Sequence, residues 1–168
     1  MHGMMMTTPL LITSLIQFAA KFHNDTEVVT CRVDGTLHRS TYGQIYERSQ
    51  RLANALIELG VKPGDRVATV AWNSDRHLEL YYAVSGIGAI CHTVNLRLAD
   101  AEMVYILNHA EDRLVFFDTD MAETVARIQP HTPAVESFIS LSDAAGIPAG
   151  SPAGALDYEG LISGVPDQ

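Results

Sequence analysis

The sequence is short of basic residues. Its 168 residues include 11 Lys and Arg against 20 Asp and Glu, which gives a formal net charge of −9. Nucleic-acid binding needs a basic face that neutralises phosphates, so the charge disfavours a nucleic-acid partner. It equally disfavours electrostatic docking on anionic membrane. No run reaches the roughly 18 apolar residues of a membrane span, so no transmembrane segment is expected.

Motifs for common catalytic and cofactor sites are also lacking. The sequence contains no Gly-x-Ser-x-Gly elbow, and its only Gly-x-Gly, at 86–88, ends a predicted helix and has no third glycine. None of the seven histidines forms an i,i+4 pair, and neighbouring Cys91 and His92 point to opposite faces of a predicted strand. The residue patterns therefore predict no catalytic residue, no cofactor-binding residue and no metal ligand.

Cysteine is scarce, with one residue at 31 and one at 91. Each lies in an apolar run, which favours buried free thiols in a reducing cytoplasm, although the sequence leaves a disulfide open. Apolar residues make up 47% of the chain, enough for one globular domain with a sizeable core.

The first 60 residues predict a helix, a hairpin and a second helix. Leu11, Leu15, Phe18 and Phe22 recur at helical spacing, which predicts an amphipathic helix packed on a core. Strands at 27–33 and 36–40 flank the turn signal Asp34-Gly35. Thr41 and Gln44 then fit a capping box for a long helix that Gly60 ends.

Strands and helices alternate over the rest of the chain. Strands are predicted at 66–72, 89–94, 113–117 and 136–141, with helices at 76–88, 100–109 and 120–128 between them. This order predicts a layered α/β fold with a doubly wound, mostly parallel sheet, which the hairpin makes mixed. We predict a disordered start at 1–9, an α/β subdomain at 10–143, and a linker with a short helix at 144–168.

Ligands of open α/β sheets bind beyond the carboxyl ends of the strands. The candidate crevice residues at these ends are Trp72, Asn73, Thr93, Asn95 and Asp118. The run Asp118-Thr119-Asp120 has two interpretations. It suits a helix N-cap, which we favour, and it also resembles the magnesium-binding acids of a receiver- or flavodoxin-like nucleotide-binding domain.

Seven short motifs together resemble the N-terminal region of adenylate-forming acyl-CoA synthetases. They are STYGQ at 40–44, LANAL at 52–56, GVKPGDRVA at 60–68, WNS at 72–74, GIGA at 86–89, NLRL at 95–98 and YILNHAED at 105–112. The likeness covers about residues 10–163 and is strongest to the medium- and long-chain fatty-acid branch. Each motif is modest, but their order and spacing are specific.

The resemblance implies a parent enzyme that activates a fatty acid with ATP and Mg²⁺ to an acyl-adenylate and then transfers the acyl group to coenzyme A. It also implies layered α/β subdomains and a homodimer formed through the N-terminal region. The family's phosphate loop, ribose-binding Asp and catalytic Lys have no counterpart in this sequence.

We therefore expect an N-terminal fragment of a fatty-acid–CoA ligase, inactive alone. The alternative is a stand-alone dimerisation or interaction module derived from such an enzyme. Either form is expected to expose a large apolar patch and to self-associate.

Overall fold

The computed structural model describes residues 7–143 and 146–167, so most of the predicted disordered start lies outside the described residues. Helix α1, Thr13–Phe22, precedes strands β1, Glu27–Cys31, and β2, Leu37–Thr41. The two strands pair antiparallel. The hairpin is confirmed, but it forms its own two-stranded sheet, so the prediction that it makes the main sheet mixed is wrong.

The main sheet has five strands in the order β4-β3-β5-β6-β7, and every pair is parallel. The strands are β3 Arg66–Val70, β4 Ile90–Thr93, β5 Leu114–Phe117, β6 Ser137–Ser140 and β7 Leu156–Asp157. The predicted doubly wound fold is thus confirmed. Strand β7 lies within the segment predicted as linker and short helix, and the sequence analysis missed it.

Helices cover both faces of this sheet. They are α2 Tyr42–Glu58, α3 Asp75–Gly86, α4 Asp100–Ala110, α5 Ala122–Ile128 and α6 Tyr158–Ser163. One core cluster joins α2, α3 and α6 to one face, and a second joins α4 and α5 to the other. Successive β5 residues alternate between the clusters, since neighbouring side chains of a strand point to opposite faces.

Local signals set the ends of α2 as predicted. The Thr41 hydroxyl accepts a hydrogen bond from the Gln44 backbone N–H, and the Gln44 side chain accepts one from the Thr41 N–H. Beyond the helix, Gly60 has φ +82°, a left-handed conformation that glycine adopts without steric cost.

Helix α1 forms as predicted, but its apolar stripe does not pack on the core. Leu11, Leu15, Phe18 and Phe22 are 57–64% exposed, and Ile16 is the buried side chain of the helix. The spacing predicted the helix correctly and its packing wrongly. In the described part of the chain no helix has the length and apolar character needed to cross a membrane.

Both cysteines are free thiols, but neither is fully buried as predicted. Cys31 is exposed at the end of β1, because the strand lies in the hairpin and not in the core. Cys91 is partly buried, and this burial raises the pKa of its thiol to about 11.

Candidate functional site

The order of the strands creates a crevice between β3 and β5. The chain leaves β3 towards β4 on one side and later returns to β5 on the other side. Loops that leave the carboxyl ends of two such neighbouring strands diverge, and this is where open α/β sheets bind ligands. The first candidate site is therefore the end of β3, at Trp72 and Asn73, together with the end of β5, at Asp118.

A cavity of about 200 Å³ lies at this position. The ends of β3, β5 and β6 form three of its walls, and residues 31–34 of the hairpin form the fourth. Its charged lining consists of Arg32, Asp34, Asp75, Arg76, Asp118 and Asp143. The lining is thus rich in carboxylates, with two arginines facing them.

Trp72 joins the two strand ends through two hydrogen bonds. Its backbone N–H donates to Asp118 Oδ2 at 2.6 Å, and its indole Nε1–H donates to Asp120 Oδ2 at 2.9 Å. Asp118 occupies the N-cap position of a 3-10 turn, Thr119–Met121, but its side chain makes no cap hydrogen bond. The favoured N-cap interpretation is therefore right for the position of Asp118 but not for its side chain, because the carboxylate binds the neighbouring strand end.

Asp118 is only 5% exposed. Burial raises the pKa of its carboxyl to about 6, because ionisation is costly away from water. The Trp72 N–H opposes this shift, and the nearby Asp120 adds to it. Asp118 therefore changes charge close to neutral pH.

The buried His77 ring links the Trp72 backbone to Thr69 of β3 through two hydrogen bonds. Its Nδ1 lies 2.9 Å from the Trp72 carbonyl oxygen and its Nε2 lies 3.0 Å from Thr69 Oγ1. Because a carbonyl only accepts, the proton sits on Nδ1 and Nε2 accepts from the Thr69 hydroxyl. Burial lowers the pKa of the imidazole, which keeps the ring neutral and in this tautomer.

The structure does not bring Thr93 and Asn95 to the cavity. Both are exposed at the carboxyl end of β4, on the other side of β3, and neither lines the cavity. Asn95 Oδ1 accepts a hydrogen bond from the Arg97 backbone N–H at 3.0 Å, which closes the loop locally. Trp72, Asn73 and Asp118 do line it, and whether any of these residues contacts a ligand stays a prediction.

A buried charge network next to the cavity was missed by the sequence analysis. Arg76 donates to the Leu141 carbonyl at 2.7 Å, to Glu159 at 3.0 Å and to Asp143. The local signal is that Arg76 and Glu79 are charged residues within the helix whose apolar residues run nearly all round and therefore predict burial.

The same network reaches α2 and α6. Arg48 donates to Glu79 at 2.7 Å and to both Glu159 oxygens at 3.0 and 2.8 Å. The Tyr158 hydroxyl donates to the second Glu79 oxygen at 2.5 Å. Burial raises the pKa of Glu79, while Arg48 opposes that shift. The network fixes α6 against α2 and α3, next to the cavity.

Over residues 7–143 and 146–167, no three His, Cys, Asp or Glu residues are grouped closely enough to hold a metal ion. The acids of the 118–120 run bind Trp72 instead. The site at this edge of the sheet is a small crevice lined by both charged and apolar side chains.

Comparison with known proteins gives a consistent family match. The model of the AMP-binding enzyme family matches residues 16–159. A 3-methylmercaptopropionyl-CoA ligase of Ruegeria lacuscaerulensis is 49% identical over 83% of this chain and 26% of its own length. A medium-chain-fatty-acid–CoA ligase of Ectopseudomonas oleovorans is 41% identical over 96% of this chain and 30% of its own length.

Solved structures agree. A putative long-chain-fatty-acid CoA ligase from Rhodopseudomonas palustris has a TM-score of 0.74 at 29% identity, over 94% of this chain and 37% of that one. An anthranilate CoA ligase in complex with anthranoyl-AMP has a TM-score of 0.80 at 20% identity, over 96% of this chain and 30% of that one. This likeness shows a shared fold. The chain thus spans between a quarter and a third of the length of the curated relatives described above.

Proposed function

This chain belongs to the AMP-binding enzyme family, and we propose that its parent protein is a fatty-acid–CoA ligase. The carboxylate of the fatty acid attacks the α-phosphorus of ATP, which releases pyrophosphate and forms an acyl-adenylate. The thiol of coenzyme A then attacks the acyl carbon, loses its proton, and displaces AMP. The observation that carries the proposal is the 41% identity to a medium-chain-fatty-acid–CoA ligase over nearly the whole chain.

The cofactors in this proposal are ATP, Mg²⁺ and coenzyme A. The 168 residues contain no counterpart of the phosphate loop, ribose-binding Asp or catalytic Lys that the resemblance implies. We therefore assign no catalytic residue to this chain and propose that it is inactive alone. Its part in the parent is structural: Trp72, Asn73 and Asp118 line one small crevice, and the charge network holds α6 beside it.

The test compares the parent protein with this chain. The parent is supplied with ATP, Mg²⁺, coenzyme A and either octanoate or 3-methylmercaptopropionate, and acyl-CoA is measured by mass spectrometry. We expect the parent to favour octanoate and this chain to form no product. A parent that forms no acyl-CoA from fatty acids of any chain length or from 3-methylmercaptopropionate overturns the ligase proposal, and a preference for 3-methylmercaptopropionate overturns the assignment to fatty acids.

We further propose that the parent is a cytoplasmic homodimer. The free thiols suit a reducing compartment, and the resemblance includes homodimers with N-terminal contacts. The exposed stripe of Leu11, Leu15, Phe18 and Phe22 also favours the second candidate function, a stand-alone dimerisation module. Sedimentation equilibrium of the 168-residue chain tests this candidate, and a monomer at high concentration counts against it.

A further inference from the structure

A groove next to the crevice, with Arg32, Arg76 and Asp143 in common, is rich in arginine. It has a volume of about 610 Å³ and runs between β2, α2 and α6. We call it the arginine groove, after Arg32, Arg39, Arg48, Arg51 and Arg76, which line it. It holds five of the chain's 11 Lys and Arg residues but only three of its 20 Asp and Glu residues. Each of the five arginines also forms an ion pair with a carboxylate, so what matters is which of them a ligand can still reach.

Three of these arginines are held by carboxylates. Arg32 donates to the buried Asp75 at 3.2 Å. Arg48 and Arg76 are held by the hydrogen bonds of the charge network. Their guanidinium groups are therefore fixed in position, and their charges are largely balanced by these partners.

Arg39 and Arg51 are the arginines available to a ligand. Arg39 pairs with Glu27 at 2.5 Å, but the two side chains are 59% and 49% exposed, and exposed ion pairs contribute little stability. Arg51 Nη2 lies 3.8 Å from Asp167, which is beyond hydrogen-bond distance. An oxyanion in the groove competes with two weak contacts and displaces no buried pair.

Three buried atoms of the lining also lack partners. Arg32 Nε, Arg51 Nε and Ser40 Oγ have no hydrogen-bond partner among the described residues. An arginine Nε–H can only donate, and a serine hydroxyl can donate as well. A buried donor without an acceptor costs about 1–3 kcal/mol. These three groups therefore lack an acceptor, although the carboxylates of Glu47, Asp143 and Glu159 also line the groove.

We infer that the arginine groove binds a phosphate group. A phosphate presents several acceptor oxygens in different directions, and guanidinium groups match its geometry with paired hydrogen bonds. Arg39 approaches from β2 and Arg51 from α2, so the ligand contacts two elements at once. The same chemistry fits free phosphate and a phosphate monoester.

The inference is tested by calorimetric titration of the full 168-residue chain, independently of the ligase proposal. The probes are inorganic phosphate and glycerol 3-phosphate, each against NaCl at matched ionic strength. We expect saturable binding with one site. Equal affinity for the two probes identifies the phosphate group alone as the ligand. Tighter binding of glycerol 3-phosphate than of inorganic phosphate identifies an organic phosphate.

Two variants and one control decide whether the groove is the site. Arg51→Gln and Arg39→Gln are each expected to weaken binding at least tenfold. Arg127→Gln, which removes an exposed arginine paired with Asp100 on α4, should change it less than twofold. Circular dichroism checks that each variant is folded. The inference is overturned if phosphate gives no more heat than the NaCl control. It is also overturned if all three variants weaken phosphate binding equally.

Discussion

Substitution of Asp118 by Asn is expected to remove a defined part of the pH dependence of stability. The carboxyl has a pKa of about 6 in the folded chain against an ordinary value of 3.8. Each unit corresponds to about 1.4 kcal/mol, so the two-unit difference amounts to about 3 kcal/mol. The substitution is nearly isosteric, and the amide oxygen of the new side chain still accepts the Trp72 N–H.

The sign of this pH dependence is set by whether the folded or the unfolded chain binds the proton of Asp118 more tightly. Because the pKa of Asp118 is raised on folding, the folded chain holds the proton more tightly than the unfolded chain. The stability from this group is fully present below about pH 4 and is lost as pH rises through about 6. In the wild type, ionised Asp118 therefore destabilises the fold at neutral pH, and the Asp118→Asn variant avoids this loss.

The assay is urea unfolding of both proteins between pH 4 and pH 8, followed by circular dichroism. The free energy of unfolding of Asp118→Asn minus that of the wild type should rise by about 3 kcal/mol across this range. Titrating groups that do not interact with Asp118 contribute equally to both proteins and cancel, whereas the neighbouring Asp120 and Asp75 add a smaller difference. Asp25→Asn, an exposed carboxylate far from the cavity, serves as the control and should show no such rise.

A second readout uses the single tryptophan of the chain. Trp72 is hydrogen-bonded to Asp118, so its emission should titrate with a midpoint near pH 6 in the wild type and not in Asp118→Asn. A flat free-energy difference between pH 4 and pH 8, or one that falls with pH, would refute the reasoning about burial.

Three further substitutions test other features. Thr41→Ala removes the cap hydroxyl that binds the Gln44 N–H, and should lower the free energy of unfolding in urea by about 1 kcal/mol; an unchanged midpoint contradicts the cap. Tyr158→Phe leaves one oxygen of buried Glu79 without its donor and should cost about 1–3 kcal/mol in the same assay. A neutral result there shows that the hydroxyl contributes nothing. Phe18→Ser shortens the exposed stripe and should lower the average mass in sedimentation equilibrium; an unchanged mass counts against association through α1.

Signals within a few residues predicted the secondary structure well. The capping box at Thr41 and the glycine at 60 set the bounds of α2 because both act through neighbouring backbone groups. The Asp34-Gly35 turn likewise placed the hairpin. The pairing of that hairpin with no other strand depends on long-range packing, and nothing local indicates it.

The place of the crevice could also be predicted, because the ends of neighbouring parallel strands meet at one edge. Trp72 and Asp118 therefore come within hydrogen-bond distance, although 46 residues separate them. Thr93 and Asn95 end a strand on the far side of β3, and strand order is not readable from one sequence. This is why five candidates were named and three line the cavity.

The charge network and the packing of α1 could not be predicted for a shared reason. Arg48 pairs with Glu79 and Glu159, 31 and 111 residues away, and charged residues at that separation give no pattern in sequence. In α1 the apolar spacing defines a face of the helix but not what that face contacts. Both features depend on tertiary partners.

The separate hairpin has a consequence for the exchange of backbone amide hydrogens with solvent. Among the described residues, strands β1 and β2 pair only with each other, whereas the residues of β5 are buried and paired with strands on both sides. Two-stranded sheets are marginally stable alone, so we expect the hairpin to open at a lower free energy than β5, although Arg32 ties it to buried Asp75. Since Arg32 to Asp34 form one wall of the cavity, we expect each such opening to widen a crevice that solvent already reaches.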